Sequence, residues 1–172
     1  MKTKPYNLER NFRSPWSFLK EKSKAMLYIL SEIEKTLQEA SPKLAESLEE
    51  DFKKLRKLFQ LYPKGRGGSI PKVWTSVAAR ESKALVELSL NSLSYRTWSP
   101  KWRLSYVLRA LDNLPLGIAC CPFCLSSTNC LRCPYAARHR PCGDPASTYR
   151  EITKKLQDVE GKIRSYLEEE KQ

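Results

Sequence analysis

Residues 14–62 read SPWSFLKEKSKAMLYILSEIEKTLQEASPKLAESLEEDFKKLRKLFQLY. Two Ser-Pro pairs, Ser14-Pro15 and Ser41-Pro42, open the two halves of this stretch. A serine hydroxyl caps an orphan amide of a new helix, and a proline at the first helical position needs no amide there. After the first pair, Leu19, Met26, Ile29 or Leu30, Ile33 and Leu37 recur at helical spacing; after the second, Leu44, Leu48, Phe52, Leu55, Phe59 and Tyr62 do the same. Almost nothing separates the two patterns, which predicts an antiparallel hairpin of helices over 15–40 and 42–61. Glu49, Glu50 and Asp51, followed by Lys53, Lys54, Arg56 and Lys57, read as a solvated, dipole-matched face.

The same punctuation continues outward. Ser99-Pro100 opens a helix to about Asn113, with Trp102, Leu104, Val107, Leu108 and Leu111 apolar; Asp144-Pro145 opens another to about Glu170, carried by Tyr149, Ile152, Leu156, Val159, Ile163 and Leu167. A helix over 72–93 has Trp74, Val77, Ala78, Leu85 and Leu88 as its apolar face, and the Gly-rich run 62–71 before it reads as a flexible, solvated loop. No period-2 strand pattern is sustained. The expectation is an all-α protein, a bundle of about five helices with a small Cys-rich metal knuckle inserted between helices 4 and 5. Its parts are a basic N-terminal arm (1–13), a helical domain (14–113), the Cys-rich segment (114–145) and a C-terminal helix packed on the bundle (146–172).

The segment 114–145 holds all six cysteines and the lone histidine. From Cys121 the spacing is C-x2-C-x5-C-x2-C-x5-H-x2-C, with Cys120 directly in front. A C-x2-C pair turns two thiolates toward one point, and two pairs complete a tetrahedron around a soft metal. The expected ligands are Cys121, Cys124, Cys130 and Cys133, with Cys142 and His139 as rivals and Cys120 as the spare. Zinc is the first choice. An iron–sulfur cluster is the alternative, suggested by Cys133-Pro134; two metals sharing a thiolate, disulfides and free thiols stay open. The segment has neither H-E-x2-H nor an H-x-E paired with P-C-x2-C, and a single histidine excludes most His-dependent schemes. The metal is therefore read as structural, holding together a Pro-rich connection with little core of its own, and no enzymatic activity is expected.

Residues 114–145 resemble Cys-rich modules in uncharacterised proteins of thermophilic archaea and their viruses or plasmids. The resemblance rests on Cys121-Pro122-Phe123-Cys124, Cys130-Leu131-Arg132-Cys133-Pro134 and the later Cys142. It implies a host and a bound metal, and no activity.

Of the net charge of +12, residues 1–25 carry +5 and residues 63–110 carry +7. Such a footprint points to a polyanion: DNA, RNA or an acidic protein. The densest basic-aromatic stretch, 95–103, offers Arg96, Trp98, Lys101 and Arg103 for phosphate contact and base stacking. Lys64 and Arg66 in the Gly-rich loop, and Arg10 and Arg13 in the arm, are further candidates; the arm's basic set runs on through Lys20, Lys22 and Lys24, and the knuckle adds Arg132, Arg138 and Arg140. No P-loop, helix-turn-helix or RNA-binding signature is present. No stretch is apolar enough to cross a membrane and none resembles a secretory signal, so an intracellular protein is expected. The reading is a non-enzymatic, zinc-stabilised nucleic-acid-binding protein, a regulator of transcription or replication in an archaeon or its mobile element. The alternatives are a virion or nucleoprotein assembly component, homo-oligomeric or bound to a protein partner through its long helices, and an iron–sulfur redox protein.

Overall fold

A computed structural model describes residues 4–95 and 99–171. Among these residues the chain forms α-helices and short 3-10 turns, with no strand. The long helices are α1 (Pro15–Ala40), α2 (Pro42–Leu61), α3 (Lys72–Leu93), α4 (Pro100–Asp112) and α7 (Thr148–Glu169); α5 (Pro122–Ser126) and α6 (Ala136–His139) are short pieces within the Cys-rich segment. No helix among the described residues is long and apolar enough to cross a membrane.

The caps explain the boundaries. Ser14 Oγ accepts from the Trp16 amide at 3.1 Å and Ser41 Oγ from the Leu44 amide at 3.3 Å, each ahead of a proline. Ser99 precedes Pro100 but makes no side-chain cap. At the last helix the sequence misleads: Asp144-Pro145 forms a turn, in which Asp144 Oδ1 accepts from the Ala146 amide at 2.8 Å, and the cap is Ser147, whose Oγ accepts from the Arg150 amide at 3.1 Å.

Helix α1 is the centre of the bundle, with α2, α3 and α4 packed around it and α7 covering α2 and α4. Both Ile29 and Leu30 are therefore fully buried, where one apolar stripe would have buried only one. Each such side chain contributes about 1.5–3 kcal/mol of transfer free energy. The face of α3 is rotated from its large apolar residues: Ala78, Ala79, Ser82, Val86 and Ser89 are buried, whereas Leu88 is exposed. Small side chains let α3 approach its neighbours closely, and Ser89 Oγ donates to the Ala110 carbonyl of α4 at 2.9 Å. Trp102, expected on the apolar face of α4, is likewise exposed.

Two further expectations are corrected. Residues 4–13 are no free arm, because Tyr6, Leu8 and Phe12 join the core and the ion pairs Lys4–Glu87 and Glu9–Lys83 tie the segment to α3. Asp51 does not lie on a solvated face. It is buried between α2 and α7 and accepts from Lys155 at 3.2 Å and Lys162 at 2.6 Å. Burial alone would raise its pKa, but the two lysine hydrogen bonds and charges outweigh it and hold the carboxyl below the ordinary aspartate value.

Candidate metal centre and the basic end of the bundle

The Cys-rich segment caps the end of the bundle where α1 and α7 begin and α2 ends. Its anchor is an aromatic cluster. Trp16 packs on Phe123 at 4.9 Å, Tyr135 at 5.7 Å and His139 at 6.0 Å, and Tyr135 stacks on His139 at 4.4 Å. The expected connection with little core is thus joined to the main core by Phe123 and Tyr135, both buried.

All six cysteines are free thiols. Cys121, Cys124 and Cys142 line one small cavity of about 70 Å³, together with Tyr62, Tyr135 and Tyr149. Side-chain hydrogen bonding with Cys124, helped by Lys22 and by the amides of Phe123 and Cys124, draws the Cys121 thiol down and pushes Cys124 up, as when two groups share one proton. Burial pushes Cys142 up to about 11, reinforced by the charges of Cys121, Cys133 and Cys130. Cys133 is buried and acts electrostatically on Cys124, Cys142 and Tyr135, whereas Cys130 is exposed at the rim. Cys120 does not line the cavity and lies near Ser82 of α3. Among the described residues no three donors stand close enough to hold one ion as they are placed. The thiols share a cavity wall, and coordination requires their side chains to turn inward.

His139 is buried, and both of its ring nitrogens are engaged. Nε2 lies 2.6 Å from the Lys64 carbonyl, which can only accept, so Nε2 carries the proton and Nδ1 accepts from Thr148 Oγ1 at 3.1 Å. Burial lowers its pKa, the charge of Arg138 adds to that, and the bond to Lys64 opposes both. The rival histidine ligand of the sequence reading is therefore a strut between the loop at Lys64 and the start of α7. Arg140, next to it, has φ of 64°, a backbone region that non-glycine residues avoid at a cost of about 1–3 kcal/mol.

Sequence reasoning placed Lys22 among the surface cations of the arm. The structure buries it completely on α1. Its Nζ donates to the Cys120 carbonyl at 2.7 Å and lies 5.1 Å from the ring centre of Tyr62 and 5.7 Å from that of Phe18. Burial pulls its pKa down, and the charges of Cys121, Cys120, Cys124 and Cys142 oppose that. A lysine four residues after one core position and before another carries no sequence signal of burial, because the same spacing suits a residue whose stem crosses the core edge to water.

The Gly-rich loop is fitted to the cap rather than free. Gly67 and Gly68 adopt φ of 73° and 79°, which glycine alone takes easily. The Trp16 indole N–H donates to the Gly67 carbonyl at 3.0 Å, and a Cβ at Gly68 would stand 3.3 Å from Pro134. Lys64 and Arg66, both exposed, thus lie on a loop whose backbone is bonded to His139, flanked in sequence by Arg138 and Arg140, and to Trp16, three residues after Arg13. Among these five, only Arg140 is ion-paired among the described residues, to Asp144 at 3.8 Å. Arg10 is engaged, 3.7 Å from Glu21 and over the Phe12 ring.

The other basic stretch is elsewhere. Arg103 is half-buried and lies 3.8 Å from Glu39, at the far end of α1. Trp16 and Glu39 are separated along α1 by roughly 35 Å, at 1.5 Å per residue. Lys101 and Arg103 thus do not share a small footprint with Lys64 and Arg66. Arg96 and Trp98 lie outside the described residues.

No family model matches the chain, and neither the curated proteins nor the solved structures contain a match.

Proposed function

We propose that this chain is a non-enzymatic, intracellular, zinc-stapled nucleic-acid-binding protein, and that its contact surface is the basic end of the bundle capped by the Cys-rich segment. The observation that carries this reading is the tethering of the Gly-rich loop. Trp16 and His139 grip its backbone, so cations from three separate stretches, Arg13, then Lys64 and Arg66, then Arg138 and Arg140, are presented together. Pre-fixed cations neutralise phosphates without first losing the freedom of a mobile loop. The metal's role is to hold the cap to which that loop is fastened. The resemblance of the cap to modules of thermophilic archaea and their mobile elements sets the proposed context, regulation of transcription or replication there.

The test is binding of labelled single-stranded DNA, duplex DNA and RNA, measured by anisotropy across a salt series. Removing both cations in K64A/R66A should weaken binding to every sequence and flatten the log–log salt slope by about 2, near one unit for each phosphate no longer neutralised. K101A/R103A should leave affinity and slope unchanged. The opposite pattern would move the binding surface to the far end of the bundle. Concentration-dependent assembly of a wild-type chain that binds no nucleic acid would favour an assembly component instead.

A further inference from the structure

A buried lysine with no carboxylate to face it calls for an explanation. Lys22 is fully buried, and its ammonium has one hydrogen bond, to the Cys120 carbonyl, and no ion pair among the described residues. An isolated charge in such a place is strongly disfavoured unless an anion lies close by. The neighbouring groups able to carry negative charge are thiols: Tyr62, whose ring Lys22 faces at 5.1 Å, forms one wall of the cavity lined by Cys121, Cys124 and Cys142.

Tyr135, which lines that cavity, carries an unsatisfied group. The Tyr135 hydroxyl is buried and has no hydrogen-bond partner among the described residues. A buried phenol left unpaired costs free energy, so it too needs an acceptor. A metal-bound thiolate is an acceptor that accommodates such an outer donor.

Burial divides the remaining cysteines. Neither Cys133 nor Cys130 lines the cavity, but Cys133 is buried two residues before Tyr135 and acts by its charge on Cys124, whereas Cys130 is exposed at the first residue of its 3-10 turn.

We infer that the metal centre is closed by the thiolates of Cys121, Cys124, Cys133 and Cys142, with Cys130 outside it, and that the buried ammonium of Lys22 is its counter-charge. This inference rests on the metal reading proposed above and sharpens it. Four thiolates around a dication leave two negative charges in excess. In a half-buried site that excess is offset by a nearby cation, and Lys22 supplies one from a helix outside the Cys-rich segment. Tyr135 is a positioning residue that donates its hydroxyl to one of the sulfurs. The centre thereby couples α1 to the cap: the metal holds Lys22, and Lys22 holds the Cys120 carbonyl.

The test uses the full chain, reduced and freed of metal, then titrated with Co2+ and displaced by Zn2+ against a chromophoric chelator. Sulfur-to-cobalt charge transfer counts the thiolates, and the visible bands report a tetrahedral site. C130S, a change at an exposed position, should keep the four-thiolate spectrum and the wild-type zinc affinity; C142S should lose charge-transfer intensity. If C130S loses that intensity and C142S keeps it, the ligand set is overturned while the metal reading stands. K22M should weaken zinc binding about 10–100-fold, the scale of outer-shell losses. Without metal it should unfold at the same or higher denaturant concentration than wild type, because a similar-sized apolar group replaces a buried charge. Wild-type zinc affinity in K22M would overturn the role of Lys22. A wild-type chain that takes up neither cobalt nor zinc would overturn the metal reading itself.

Discussion

Gly65 is the position at which fold, cap and basic surface meet, so its substitution by alanine is the most informative single perturbation. A Cβ built on Gly65 overlaps the six-membered ring of the Trp16 indole. The ring has little room to move: it is 3% exposed, packed by Phe123, Tyr135 and His139, and held by its N–H at the Gly67 carbonyl. The loop must therefore lift. Overpacking of this kind costs about 1–3 kcal/mol, and an indole N–H left without an acceptor adds about 1 kcal/mol or more. Gly65→Ala should thus destabilise the protein by about 2–4 kcal/mol, which for a chain of this size lowers Tm by roughly 5–15 °C. The measurement is urea unfolding followed by far-ultraviolet circular dichroism at matched zinc content, run as a double-mutant cycle with Trp16→Phe. Phenylalanine removes the part of the ring that the new methyl would meet, so the alanine should cost less in that background by about 1–3 kcal/mol. Additivity within about 0.5 kcal/mol would refute the steric reasoning. G65A should also weaken nucleic-acid binding, because Lys64 and Arg66 leave the end of the bundle with the loop.

Two further predictions concern buried titratable groups. Asp51→Ala removes the acceptor shared by Lys155 and Lys162 and should cost about 1–3 kcal/mol at neutral pH, less than a fully buried pair because Lys162 is half-exposed. Since the folded-state pKa of Asp51 lies below its unfolded value, that contribution is complete above about pH 4 and fades as pH falls further, so wild type and D51A should converge in acid unfolding curves. The folded-state pKa of His139 is also lowered, so the unfolded chain binds the extra proton. Its contribution is complete above about pH 6.5 and is lost as pH falls below it, and H139Q should show a shallower loss of stability between pH 7 and 5. An unchanged slope would show that the imidazole is not the group responsible.

Most of the helical framework was legible because it is written in local chemistry. Serine and proline at 14–15 and 41–42 start helices for reasons confined to one turn, and long apolar spacings report burial wherever the buried side chains are large. The reading failed where burial was achieved by small or polar side chains. On α3, Ala79, Ser82 and Ser89 face the core because neighbouring helices come close, while Leu88 faces solvent. At Asp51 a charge was taken for surface because its partners, Lys155 and Lys162, are more than 100 residues away. The glycines of 65–68 read as freedom, yet Gly65 serves close approach to Trp16 and Gly67 and Gly68 serve a left-handed turn. Composition alone does not separate those uses.

Capping, periodicity and cysteine spacing act over a few residues, and they suffice for the all-α class, the bounds of α1 to α4 and the concentration of thiols between α4 and α7. Packing settled the rest: which thiols face one cavity, that His139 is a strut, that Lys22 is buried close to the cysteines, and that Arg103 lies at the opposite end of α1 from Lys64 and Arg66. Those facts depend on contacts between residues up to about 100 positions apart, such as Lys22 with Cys120 and Lys64 with His139. Such pairings are fixed by how helices pack and which groups lose water together, and no local pattern encodes them.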